Sequence, residues 1–233
     1  MKNLLIIGAS KGIGLSLAEM AAPAFGTYTV ARTLSPELAA LATQYFSIDA
    51  VQDPLDSLES LPDTIHGLVY CPGSITLKTI NRLSEADFIS DFHQNVLGAV
   101  RVIQYCLPRL KRAKGASVVL FSTVAAQTGM AFHSSIATAK AGVEGLGKSL
   151  AAELAPQQIR VNVIAPSLTQ TPLAQGLLNS PEKAEAAAKR HPLQRIGHAA
   201  DVAALAYFLL SDQASWITGQ VIGVDGGLST LRS

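Results

Sequence analysis

The first residues whose types and spacing carry chemistry lie close to the N-terminus, in Gly8-Ala9-Ser10-Lys11-Gly12-Ile13-Gly14. Glycines let a backbone approach a pyrophosphate closely, while the free N–H groups and dipole of a helix start favour the anion. This G-x-x-x-G-x-G spacing follows the apolar run Asn3-Leu4-Leu5-Ile6-Ile7 and precedes a helical pattern with Leu15, Ala18 and Ala22 near one face. It predicts a cradle for a nucleotide phosphate. A tight strand-to-helix turn with no ligand would not need three glycines. A second group surrounds Lys140, in Ser134-Ser135-Ile136-Ala137-Thr138-Ala139-Lys140. Thr123, His133 and Ser135 offer hydroxyl and imidazole hydrogens there, whereas Ile136, four residues before the lysine, has no proton to give.

The elements that must position these groups alternate without linkers, internal repeats or low-complexity stretches. Strands are predicted near 3–8, 27–31, 45–48, 65–71, 116–122, 159–164 and 219–223, with helices near 12–24, 35–43, 84–112, 134–155 and 199–211. Such alternation gives an α/β fold, a doubly wound, Rossmann-type parallel sheet of seven strands with helices on both faces, as one domain over 1–233. Ligand then sits at the carboxyl ends of the strands. The segment 171–192 breaks the alternation with Leu173, Leu177, Leu178 and an Ala-rich charged run, and is expected to be a substrate lid; a solvated helical excursion is the plainer alternative.

The glycine motif resembles the fingerprint of the short-chain dehydrogenase/reductases, and later blocks agree in order and spacing across essentially the whole chain. Asp49 resembles the acid that holds the adenine, Asn95 in Gln94-Asn95-Val96-Leu97-Gly98 the active-site Asn, and Val118-Val119-Leu120-Phe121-Ser122-Thr123 the strand carrying the active-site hydroxyl. Ile159-Arg160-Val161-Asn162-Val163-Ile164-Ala165-Pro166 and Thr218-Gly219-Gln220-Val221-Ile222-Gly223-Val224-Asp225-Gly226-Gly227 complete the pattern. The resemblance implies a nicotinamide-dependent oxidoreductase. It places cofactor contacts at Gly8, Ser10, Lys11, Gly12, Ile13, Gly14, Arg32, Asp49, Gly73, Lys140, Pro166 and Thr171, and the reacting groups at Asn95, Thr123 and Lys140.

The same resemblance puts Ile136 where the family has the tyrosine that donates a proton to the substrate. No tyrosine lies between Tyr105 and Tyr207, so the donor is absent, not displaced along the segment. Three substitutes are within reach. His133, seven residues before Lys140, resembles the placement of the tyrosine in enoyl-thioester reductases of the family; over seven helical residues the rise is about 10.5 Å, so it would act on substrate and not pair with Lys140. Its alternative is a partly exposed loop histidine. Ser135 and Thr123 are poor acids unless shifted. Reduction of an activated C=C is expected to suit this site better than reduction of C=O, because Thr123 and Lys140 can stabilise an enolate while water delivers the proton. Other departures are Tyr70-Cys71-Pro72-Gly73, which keeps only the glycine of the family's Asn-Asn-Ala-Gly, and Ser167 after Pro166. Tyr70 is expected to be a core aromatic, and Cys71 a buried thiol with no base in evidence.

Charge argues for NADP(H). An acid near the end of the second strand would accept the ribose hydroxyls of NAD; here Tyr28-Thr29-Val30-Ala31-Arg32-Thr33 has none, and Arg32 with Lys11 can clasp a 2′-phosphate. At 233 residues, 48% hydrophobic and 15% charged, the chain can bury a substantial single core. Net charge of +1 gives no indication of nucleic acid or an anionic membrane as partner. No apolar run approaches a membrane span and Met1-Lys2-Asn3 runs straight into a strand, so a soluble cytoplasmic protein is expected. Two cysteines, Cys71 on a predicted strand and Cys106 on a predicted helix, offer no metal spacing. Small residues along 141–152 allow close helix packing, and the resemblance implies a homodimer or homotetramer, or a heteromer with an active relative. Two functions stay open: an NADPH-dependent reductase of an enoyl or ketoacyl compound, or a cofactor-binding partner subunit or sensor with little catalysis.

Overall fold

The computed structural model describes residues 1–231. Seven parallel strands form one sheet in the order β3-β2-β1-β4-β5-β6-β9. They are β1 (Lys2–Ile7), β2 (Phe25–Ala31), β3 (Gln44–Ser47), β4 (Gly67–Tyr70), β5 (Ser117–Phe121), β6 (Arg160–Pro166) and β9 (Val221–Val224). A separate short pair, β7 (Thr169–Gln170) with β8 (Gly197–His198), had no periodic signal in the sequence. The order reverses between β1 and β4, and the cleft at their carboxyl ends is where a ligand is expected.

Alternation along the strands splits the interior into two cores. Leu5, Ile7, Leu68, Val118, Leu120 and Val161 face one side, covered by α4 (Gly98–Arg112) and α6 (Ser134–Leu154). Leu4, Ile6, Val69, Val119 and Ile164 face the other, covered by α1 (Gly12–Ala21) and α8 (Ala199–Leu210). Both faces being covered is why β4 and β5 are buried at every residue and read as continuous apolar runs. Caps set the helix starts. Ser35 accepts Leu38 N–H ahead of α2 (Pro36–Leu41), and Ser84 with Asp87 forms a reciprocal capping box for α3 (Glu85–Phe92).

Several predicted boundaries move. The long helix expected over 84–112 runs unbroken over 85–112, as α3, a π-helical turn at His93–Leu97 and then α4. The strand expected at 65–71 closes at Tyr70, so Cys71 lies just past it, although its N–H still reaches Ile7 O at 2.9 Å. The first helix stops at Ala21, not 24, α5 (Ala125–Thr128) was not anticipated, and α7 (Pro181–Lys189) forms in the Ala-rich charged run for which a helical excursion was the plainer alternative. Within 171–192 the chain forms a 3-10 turn at Pro172–Leu177 and then α7.

Candidate active site

The glycine turn between β1 and α1 has the conformation its composition requires. Gly8 (φ +81°) and Gly12 (φ +58°) occupy the left-handed region, and a Cβ on Gly14 would press into the Gly8 carbonyl. Lys11 precedes α1 without any side-chain cap, so the first N–H groups of that helix remain available to an anion. Together these form one wall of a cleft of about 230 Å³. Gly8, Ser10, Lys11, Gly12, Ile13, Gly14, Arg32, Asp49, Gly73 and Thr171 all line it, as do Pro72, Gln94 and Leu173, which the motif reading did not select. Gly8 and Ala9 N–H are taken by Val30 O, at 2.8 and 3.4 Å, so the uncapped N–H groups at the start of α1 are the turn's candidate anion donors. Arg32 is 75% exposed and its guanidinium stands 3.8 Å from Asp49, an ion pair loose enough for the arginine to turn toward a phosphate. Asp49 accepts Val51 N–H at 2.9 Å through Oδ1. Pro166 and Lys140 lie outside this lining, at the β6 end and on α6.

Deeper in, the structure brings Gly73, Asn95 and Lys140 together. A Cβ on Gly73 would stand 3.4 Å from Asn95 Oδ1 and 3.6 Å from Lys140 Nζ, so both polar groups face the space that this glycine leaves open. Asn95 is 1% exposed in the π-helical turn, a widening that often marks functional positions. Its Nδ2 donates to Ser74 Oγ at 2.9 Å and to Asp91 O at 2.8 Å, while Oδ1 is buried with no partner among the described residues. An orphaned buried carbonyl beside a lysine is a docking point for water or a ligand hydroxyl. Lys140 Nζ donates to Phe121 O at 2.8 Å, at the end of β5. Burial holds its pKa down to about 8, opposed by the nearby Cys71 and Asp91. The Cys71 thiol is pushed up to about 12 by burial, which keeps it un-ionised and a poor nucleophile.

The three candidate proton donors are placed differently. Thr123 follows β5 and its Oγ1 accepts Ala125 N–H at 3.3 Å, on the strand end that also holds Lys140. His133 is not part of the α6 stripe. It precedes the helix with φ −101° and ψ 8°, its Nδ1 lies 2.7 Å from Ala131 O, and it is not among the residues lining the cleft. No hydrogen bond joins His133 or Thr123 to Lys140 among the described residues. Ser135 turns away: it is buried and donates to Asp91 Oδ2 at 2.6 Å, so its proton is engaged on the α3 side. Ile136 is buried at 5% exposure on the helix turn before Lys140. Tyr70, expected as a core aromatic, is one, and also donates its hydroxyl to Gln94 O at 2.8 Å. Among the described residues no group of His, Cys, Asp or Glu could hold a metal, and no helix is long and apolar enough to cross a membrane.

Residues that motif reading missed are the buried Asp91, one helical turn before Asn95, and the half-buried Ser74 of the loop after β4, which joins the two side chains; Thr76 of that loop donates to Asp91 but not to Asn95. The available signal was an acid four residues before Asn95, on the same helix face.

Comparison with known proteins places this geometry. A family model described as enoyl-(acyl carrier protein) reductase matches residues 8–229. The 3-oxoacyl-(acyl-carrier-protein) reductase of Thermotoga maritima is 34% identical, with 97% of each chain covered. Among solved structures, a short-chain type dehydrogenase/reductase from Mycobacterium ulcerans superposes with a TM-score of 0.89 at 30% identity, over 100% of this chain and 91% of that one. ElxO with NADP bound superposes with a TM-score of 0.89 at 25% identity, over 99% of both chains.

Proposed function

The chain belongs to the short-chain dehydrogenase/reductase family of oxidoreductases, and from that premise we propose that it is an NADP(H)-dependent reductase of an activated C=C or C=O bond. The substrate class is an enoyl or ketoacyl thioester, and the proton donor is not a tyrosine. One observation carries this reading: Asn95 Oδ1 and Lys140 Nζ face a common space over Gly73, beside a glycine cradle that leaves backbone amides free. A chain that bound nucleotide and nothing more would not need Asn95 held there.

When bound, NADPH supplies the hydride. The free amides at the start of α1 would hold its pyrophosphate, Lys11 and Arg32 the 2′-phosphate, Asp49 the adenine, and, as the family resemblance implies, Pro166 with Thr171 the carboxamide. Lys140 holds the ribose. Thr123 and Lys140 donate hydrogen bonds to the oxygen on which negative charge grows, and their preorganisation in a buried site strengthens both. His133 Nε2, or water, delivers the proton. Without a positioned acid, ketone reduction forfeits about 10²–10⁴ in rate, whereas an enolate spread onto a thioester tolerates slower protonation, so C=C substrates are favoured. The segment 171–192 serves as the lid, its Leu173 already against the cleft. The protein acts in the cytoplasm as a homodimer or homotetramer.

Ile136 supports a second reading, a weakly catalytic NADPH-binding partner subunit or sensor, because a buried isoleucine ahead of Lys140 supplies no proton. The experiment that separates the two follows NADPH and NADH consumption against enoyl, dienoyl and ketoacyl thioesters, with the natural protein, His133→Ala and Ile136→Tyr. Expected is C=C turnover with NADPH by the natural protein, lost in His133→Ala without change in NADPH affinity. Silence from the natural protein, with ketoacyl activity appearing only in Ile136→Tyr, establishes the second reading and sinks the first.

A further inference from the structure

Asp91 is a carboxylate 1% exposed on the last full turn of α3, with no ion pair within 4.0 Å among the described residues. Three hydroxyls satisfy it: Ser74 Oγ at 2.6 Å and Thr76 Oγ1 at 3.0 Å on Oδ1, and Ser135 Oγ at 2.6 Å on Oδ2. Burying a charge is costly unless its lone pairs find donors, and here two segments converge on α3 to supply them. They are the loop after β4 and the first turn of α6. The assigned chemistry gives this residue no part.

Its consequence follows from the direction of the hydrogen bonds. A carboxylate only accepts, so the Ser74 proton is committed to Asp91 Oδ1. Ser74 Oγ then has only lone pairs to offer Asn95 and must receive Nδ2, which it does at 2.9 Å. The second Nδ2 hydrogen goes to the Asp91 carbonyl at 2.8 Å. Both donors of the amide are thereby fixed by residue 91, and Oδ1 has to point into the space shared with Lys140 Nζ. We propose that Asp91 is a positioning residue of the reductase site, acting through Ser74 to set the orientation of the Asn95 amide and so the acceptor that faces Lys140. The inference rests on the reading of Asn95 and Lys140 as working groups. Its negative charge also favours the buried ammonium of Lys140, alongside the Cys71 thiol on the cleft side.

Asp91→Asn tests this, because an amide at 91 can donate to Ser74, which frees the serine proton to turn toward Asn95 and lets Oδ1 swing away. Two readouts are needed. The first is the titration of the Lys140 ammonium, followed by NMR of lysine-labelled, cofactor-free protein and assigned with Lys140→Arg; in Asp91→Asn its midpoint is expected to fall. The second is steady-state kinetics. Asp91→Asn and Ser74→Ala should each lower kcat by about 10- to 100-fold, the loss that misplacing a working group brings, with NADPH affinity unchanged. The double variant should be no worse than the weaker single, since both cut one path. Thr76→Val removes a hydrogen bond to the same carboxylate but no link to Asn95, and is expected to lower Tm while leaving kcat alone. If Asp91→Asn does not fold, Ser74→Ala against Thr76→Val decides: equal kcat for the two overturns the proposal. If the natural protein turns over no thioester, the reductase reading falls, and an unmoved Lys140 midpoint in Asp91→Asn then overturns the role of Asp91 separately.

Discussion

Lys140 holds a charge that its surroundings oppose. Burial disfavours the ammonium and draws its pKa from 10.5 to about 8, although Phe121 O accepts from it and Asp91 and Cys71 favour it. The sign of the stability effect follows. Unfolded protein keeps this proton up to about pH 10.5 while folded protein releases it above about 8, so the unfolded state binds more protons between those values. Folding is penalised below that window and relieved as pH rises through it. Comparing Tm of the natural protein with that of Lys140→Met from pH 7 to 10.5 should therefore show the difference moving in favour of the natural protein as pH rises; a pH-independent difference would contradict the burial cost. At this scale the lysine, the glycines and Ile136 were legible as residue types at fixed spacing. Ser135 was not, because whether its hydroxyl faces substrate or Asp91 depends on a contact 44 positions away.

Between residues and fold, the decisive element is the π-helical turn at His93–Leu97. The sequence reads as one helix through 84–112, since its apolar spacing continues on both sides and a single widened turn barely disturbs the period. What supports the turn comes from another element: Tyr70, at the end of β4, donates to Gln94 O, the carbonyl next to Asn95. Gly98 makes room for it. A Cβ there would collide with the Tyr70 hydroxyl and lie 3.1 Å from Cζ. Gly98→Ala is expected to destabilise by about 1–3 kcal/mol through overpacking, and Tyr70→Phe by about 1 kcal/mol through the lost hydrogen bond. If the two share one space, Tyr70→Phe recovers part of the Gly98→Ala loss in denaturant melts. Strictly additive losses would place the strain elsewhere.

Over the whole molecule, two cores bury the sheet on both faces but leave one apolar surface beside α3 and α6. Ile89, Phe92 and Leu97 are 60%, 41% and 46% exposed, and Phe88 and Phe92 line a groove of about 290 Å³ there. Contiguous exposed apolar side chains of this kind mark an interaction face, which supports the proposed pairing of copies through their central helices. Phe92→Glu should reduce the mass found by light scattering after size exclusion, and an unchanged mass would move the interface elsewhere. The sequence by itself determined the α/β class, the seven parallel strands within a few residues, the glycine cradle and the lack of a tyrosine before Lys140. Those features are local: period, turn chemistry and spacing along one segment. Tertiary structure alone decided that Asn95, Lys140 and Gly73 share one space, that Ser135 belongs to Asp91, and that His133 stands outside the helix. Each depends on where separate elements cross, and side-chain direction at a crossing is set by packing between segments whose relative placement no local pattern encodes.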